Sequence, residues 1–197
     1  MAVQFAVQMS DFGALGYLGG LATSGTVREV GPLLIAFMLS GKVGAFTSAE
    51  LGTMRVTEQI DAIRCLGADP IQEIILPRFF GIIVSSALLL GLGLVASVAG
   101  GALLGYLFAG VSVEAYLRHI PTILIPASVG IGFIKCVIFA LVLATICTRK
   151  GYQTTGGAKG VGRAVVSTAV STMICIVMMD WVISFLMEIA LNVIREL

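Results

Sequence analysis

The sequence predicts an all-α integral membrane protein, a helical bundle of about four to five membrane spans with an amphipathic helix on its cytoplasmic side. Three observations predict it. Hydrophobic residues make up 58% of the 197 positions and charged residues only 12%, against roughly 25% charged in soluble domains, and the mean hydropathy is +1.05. Residues 82 to 109 are a run without Asp, Glu, Lys or Arg, longer than the roughly 20 apolar residues that cross a hydrocarbon core. Charge is instead gathered between residues 50 and 78, at Glu50, Arg55, Glu58, Asp61, Arg64, Asp69, Glu73 and Arg78.

Taken from the N-terminus, the first 27 residues hold no Lys or Arg, so they lack the basic region that opens a secretory signal peptide. Gly13, Gly16, Gly19, Gly20 and Gly25, with Asp11 among them, predict the tail of a helix followed by a re-entrant or interfacial turn. Residues 30 to 49 form the weakest span, with Lys42 inside it and Gly31, Pro32, Gly41 and Gly44 along it. Residues 82 to 109, 120 to 148 and 164 to 187 follow as spans, the last two interrupted only by Lys135 and Asp180. The pairs Gly91/Gly93 and Gly100/Gly101, with Gly105, make small faces that let another element approach closely. Nothing in the chain suggests a soluble domain, so residues 1 to 197 form one membrane domain.

Orientation follows from the basic residues, which concentrate in cytoplasmic connections. Residues 50 to 78 carry Arg55, Arg64 and Arg78, and residues 149 to 163 carry Arg149, Lys150, Lys159 and Arg163. The connection between them, 110 to 119, has only Arg118. The two charged connections are therefore expected in the cytoplasm, and 110 to 119 outside.

At about 100° per residue, 54 to 66 places Val56, Ile60, Ile63 and Leu66 on one side of a helix and Arg55, Glu58, Asp61 and Arg64 on the other. Asp69-Pro70 is expected to end this helix, because proline disfavours helical conformation in the residue before it. Pro77 marks a second break. Such a helix could lie on the membrane surface with its apolar side down. Its polar side has no cationic excess for anionic headgroups, however, and mixed charge with Met54 beside it suits a protein partner of matching charge.

Charges at membrane depth are costly and usually face a protein interior. Lys135 and Asp180 lie at depths that differ by only about 5 Å at about 1.5 Å per residue, which predicts an ion pair between neighbouring helices. A proton or ion relay is the alternative use of these two groups. Lys42 is expected to snorkel along its stem towards the cytoplasmic surface.

Other signals are structural. Gly156-Gly157-Ala158-Lys159-Gly160-Val161-Gly162-Arg163 lacks the residue order of a phosphate-binding loop and has no strand before it; it reads as a cytoplasmic turn opening the last span. His119 is the single histidine, an exposed loop residue, and offers no metal site by itself. Cys65, Cys136, Cys147 and Cys175 form no CxxC pair and read as structural thiols. No basic run fits nucleic acid.

The series Arg28-Glu29-Val30-Gly31-Pro32, Ala49 to Ala62, Gly67-Ala68-Asp69-Pro70, Pro77-Arg78, Ile134 to Ala140, Gly156 to Ala164 and Met179-Asp180 resembles the MlaE/YrbE permease family over nearly the whole chain. The resemblance implies an ABC transporter permease subunit, not itself an enzyme, that moves phospholipid between the inner membrane and an MCE-protein assembly for outer-membrane lipid homeostasis. It implies that residues 50 to 69 are a coupling helix set into a separate ATPase, with Glu50, Met54, Arg55, Thr57, Glu58, Gln59, Asp61 and Arg64 receiving the ATPase's motion. ATP and Mg would be held by that partner, and this chain would hold no cofactor. Further partners implied are a second permease copy, an MCE-domain lipid-binding protein, a STAS-domain protein and the phospholipid. The location implied is the inner membrane of a Gram-negative-type bacterium. The lipid path is expected along 30 to 49 and parts of 82 to 109. Family members ordinarily begin with an interfacial helix and a complete first span ahead of the part that Met1 matches, an expected difference of roughly 60 residues. Readings from other classes are an ion-coupled secondary transporter or channel using Lys135 and Asp180, and a structural anchor of an MCE complex.

Overall fold

A computed structural model describes residues 2–11, 17–124 and 126–196, and every regular element among them is helical. Helix α1 covers Ala2–Asp11. Helices α2 (Leu18–Gly25), α3 (Gly31–Leu39) and α4 (Ala45–Val56) are joined end to end by π-helical turns at Thr26–Val30 and Ser40–Gly44. A short helix α5 (Gln59–Cys65) follows, then a π turn at Ile71–Ile75 that runs directly into α6 (Leu76–Ala109). Two short helices, α7 (Val113–Arg118) and α8 (Ile120–Ile123), precede α9 (Pro126–Tyr152) and α10 (Gly157–Glu196).

Among the described residues, four segments are long and apolar enough to cross a membrane: Leu18–Val56, Ile71–Ala109, Ser128–Tyr152 and Gly157–Ile189. The first two are 39 residues each, about 58 Å at about 1.5 Å per residue. Measured along the helix, that is nearly twice the roughly 30 Å hydrocarbon core.

Several boundaries differ from the sequence expectations. The first long helix begins at Leu18 rather than near residue 30, so Gly19, Gly20 and Gly25 lie within it instead of forming an interfacial turn. Glycine serves close approach here: a side chain on Gly19 would strike the Tyr116 backbone. Gly13 and Gly16 lie outside the described residues. The expected 54–66 helix is two helices, split at Thr57–Glu58, where Glu58 is left-handed at φ +61°. Helix α5 ends before Gly67, which takes φ +81° and donates its N–H to the Arg64 carbonyl, the usual glycine device for closing a helix. Asp69-Pro70 therefore starts the next helix instead of ending the previous one, with Asp69 Oδ1 accepting the Ile71 N–H at 3.0 Å. Pro77 causes no break. A proline ring crowds the carbonyl four residues earlier, and the wider π turn at Ile71–Ile75 lies where that crowding would fall. The helix of the 120–148 span begins later, at Pro126, because 120–123 is a separate short helix.

The chain forms two compact units, Met1–Pro32 with Leu89–Ile134, and Leu33–Leu88 with Lys135–Leu197. In the first, Tyr116 is buried with Leu18 and Ala102, its ring seated over Gly101 and Gly105. The small face on α6 thus receives an aromatic ring. In the second, α10 packs antiparallel along α4 and the turn before it. Their seam is a pair of fully buried hydroxyl contacts, Ser48–Thr168 at 2.9 Å and Ser40–Thr172. Small hydroxyl residues of this kind let helices approach closely in membranes.

Candidate functional site

Residues 50 to 78 lie at one end of the second unit, where α4 stops, α5 turns back and α6 begins. Arg55 Nη1 donates to both oxygens of Asp61, at 2.8 and 2.9 Å, across the left-handed turn. Arg64 Nη1 reaches the same carboxylate at 3.5 Å, and Arg64 Nη2 donates to the Tyr152 hydroxyl at the end of α9. Both guanidinium carbons lie 6.0 Å from the Tyr152 ring centroid, within cation–π range. Arg78 closes the other side, donating to Glu50 Oε1 at 2.8 Å with Met54 Sδ 3.9 Å away.

The charges expected to form an open polar face are thus largely spent within the chain. What stands exposed is the tip: Thr57, Glu58 and Gln59 at the turn, then Ala62, Cys65 and Leu66. Leu66 was expected on the buried side with Ile60. Ile60 is buried, whereas Leu66 is 85% exposed, because the helix has already ended at Cys65 and no longer holds Leu66 on that side.

Lys135 and Asp180 come together between α9 and α10. Lys135 Nζ lies 3.2 Å from Asp180 Oδ1 and donates to Ser184 Oγ at 2.7 Å. The Lys135 side chain is 0% exposed, and Ser184 donates in turn to the Asp180 carbonyl at 2.8 Å. A charge so far from solvent persists only with a partner and further hydrogen bonds. Lys42 is exposed on the π turn Ser40–Gly44.

The first unit contains an open apolar groove of about 560 Å³. Val27 of the first long helix, Leu94 and Val98 of α6, and Leu117, Ile120 and Leu124 line it. Thr23 also lines it, and its buried hydroxyl has no hydrogen-bond partner among the described residues. The lining uses part of the 82–109 segment expected on a lipid path, and no residue of 30–49.

His119 is half-buried, its ring 5.0 Å from that of Tyr17 and its Nδ1 3.4 Å from the Ala115 carbonyl, so it is not the exposed loop residue expected. Among the cysteines, Cys136 and Cys147 are buried and Cys65 is exposed. Sequence reasoning missed Tyr152, Ser184 and the carboxylate partner of Arg78. An aromatic directly after Arg149-Lys150-Gly151, at the end of a span, was the available signal for Tyr152, since tyrosine favours membrane interfaces.

Among the described residues, four long apolar helices with a charged, folded connection at one end mark a multi-pass membrane protein. The chain matches the family described as Permease MlaE over residues 1–186. It is 36% identical over 184 residues to a probable ABC transporter permease protein of Rickettsia conorii, covering 93% of this chain and 71% of that one. It is 32% identical over 182 residues to the chloroplastic protein TRIGALACTOSYLDIACYLGLYCEROL 1 of Arabidopsis thaliana, covering 92% and 52%. It is 28% identical over 188 residues to the intermembrane phospholipid transport system permease protein MlaE of Haemophilus influenzae, covering 95% and 72%. The chain belongs to the MlaE family of ABC transporter permeases.

Proposed function

We propose that this chain is the membrane subunit through which a separate ATPase drives phospholipid movement. Two copies form the membrane part, and each offers residues 50 to 69 to one ATPase subunit. The observation that carries this reading is the exposed tip Glu58–Leu66: a leucine 85% open to solvent beside a left-handed glutamate, held rigidly from behind by the Arg55–Asp61–Arg64–Tyr152 cluster. An exposed apolar residue next to charge, on a fixed support, fits insertion into a partner's groove. Strain held at one residue by its surroundings is also a mark of functional sites.

The groove in the first unit supports lipid as the transported molecule. Its walls are aliphatic apart from Thr23, and its size falls within the roughly 300–1,000 Å³ of ligand pockets. A glycerolipid ester oxygen would accept from the unpartnered Thr23 hydroxyl while an acyl chain lies along Leu94 and Val98. ATP and Mg belong to the ATPase; movement of the tip would alter lipid affinity in the membrane part, as any coupled transport requires different affinities in two states. The Haemophilus relative's name supports phospholipid and the space between membranes as the setting. An MCE-domain acceptor, a STAS-domain protein, the inner membrane of a Gram-negative-type cell and outer-membrane lipid homeostasis complete the proposal. An ion-driven reading has less support, since Lys135 is held by Asp180 and Ser184.

The experiment is transfer of labelled phospholipid from proteoliposomes containing this chain with its ATPase to an MCE-domain acceptor. Transfer should depend on ATP. Equal transfer with and without ATP would overturn the reading.

A further inference from the structure

A polar pocket lies in the second unit, where α9 ends and α10 begins. The turn between them uses Gly156 and Gly157 at φ +87° and +65°, which folds the start of α10 back beside the end of α9. The pocket is open to its surroundings and about 310 Å³ in volume, lined by Lys150, Gln153, Thr154, Thr155, Arg163 and Ser167.

Its charge is one-sided. No Asp or Glu occurs between Glu114 and Asp180, while Arg149, Lys150, Lys159 and Arg163 surround this turn. The cations of residues 50 to 78 are all paired with carboxylates. Among the described residues, neither Lys150 nor Arg163 has one. Lys150 is fixed in place by donating to the Ser167 carbonyl at 2.8 Å and to the Ser167 and Ser171 hydroxyls, each at 2.5 Å. Those bonds satisfy its donors but leave its charge uncompensated at the cavity wall. Arg163 is exposed, and its fork of donors suits a phosphate.

Position selects the source of that phosphate. The two flanking helices are both membrane-crossing in length and hydropathy, so the cavity sits where a span meets the headgroup layer. Along the same face of α10 as Arg163 and Ser167, at helical spacing, come Val170, Ile174 and Met178, all exposed. A basic polar pocket leading directly onto an exposed apolar strip matches a lipid headgroup above its acyl chains. A soluble phosphate would have no use for the strip.

We propose that this cavity is a binding site for the phosphate of an anionic membrane phospholipid, separate from the apolar groove and independent of the transport reading. Its occupant is a resident lipid that compensates Lys150 and Arg163 and ties α9 to α10.

The test is native mass spectrometry of the purified protein with added dioleoylphosphatidylglycerol or dioleoylphosphatidylcholine, comparing wild type with Arg163→Gln and Lys159→Gln. Both variants remove one exposed cation, but only Arg163 lines the cavity. Wild type should retain phosphatidylglycerol over phosphatidylcholine, and Arg163→Gln should weaken that retention about fivefold, with Lys159→Gln changing it less than about twofold. Equal losses in the two variants would reduce the effect to general surface charge and overturn the site. Displacement of phosphatidylglycerol by millimolar inorganic phosphate would assign the pocket to a soluble anion. Unchanged lipid retention in Arg163→Gln with loss of bound ATPase would assign it to a protein contact.

Discussion

Arg55 grips both oxygens of Asp61 across a left-handed turn, so the last turn of one helix and the first of the next are tied into a rigid corner. Both side chains are partly exposed, 34% and 48%, so the pair contributes at most about 1 kcal/mol to stability. Asp61→Asn should therefore shift the melting temperature of the purified protein only slightly. It should increase hydrogen exchange at residues 57 to 66 on a seconds-to-minutes scale. Unchanged exchange would show that the corner is held by something else.

Tyr152 is the support behind that corner. Tyr152→Leu removes the hydrogen bond from Arg64 and two cation–π contacts, each of the latter worth about 0.5–1 kcal/mol at exposed sites. Exchange at α5 should rise while the interior of α9 keeps its protection. Equal protection in wild type and variant would mean that α5 does not rest on α9.

Glu58 holds a backbone conformation that disfavours side chains, at roughly 1–2 kcal/mol. Glu58→Gly should raise thermal stability by about 0.5–1 kcal/mol after glycine's greater loss of chain entropy is subtracted. A fall in stability would show that the glutamate side chain itself holds the turn.

The Lys135–Asp180 pair gives an asymmetric expectation. Lys135→Met or Asp180→Asn alone leaves a polar or charged group buried without its partner, which costs about 3–5 kcal/mol for a buried pair. The double variant should recover much of that loss in a thermal-unfolding mutant cycle. Strict additivity of the two single losses would contradict the pairing.

The spans were legible because hydropathy and charge are sums over many residues. The stretch without charges at 82–109 and the interior Lys135 and Asp180 each fell within helices long enough to cross. Errors arose where a single residue's surroundings decide. Gly19 resembles a turn former in isolation, and only the Tyr116 backbone against it explains a glycine inside a helix. Glu58 carries no sequence signal for a left-handed turn, since glutamate is not a residue that favours one. The Arg64–Tyr152 contact joins positions 88 residues apart, beyond any local pattern. Leu66 was misplaced because helical periodicity was extended one residue past the helix it described.

The central claim, that the tip at Glu58–Leu66 transmits an ATPase's motion to the membrane helices, is tested most directly by Glu58→Arg in ATP-driven phospholipid transfer. The exposed Glu58 side chain makes no hydrogen bond among the described residues, and its backbone bonds do not depend on the side chain, so the fold should survive, and thermal unfolding checks this. Reversing its charge against a partner's matching surface costs several kcal/mol, so transfer should fall by at least about tenfold. Transfer at the wild-type rate, with wild-type dependence on ATP, would contradict the coupling role.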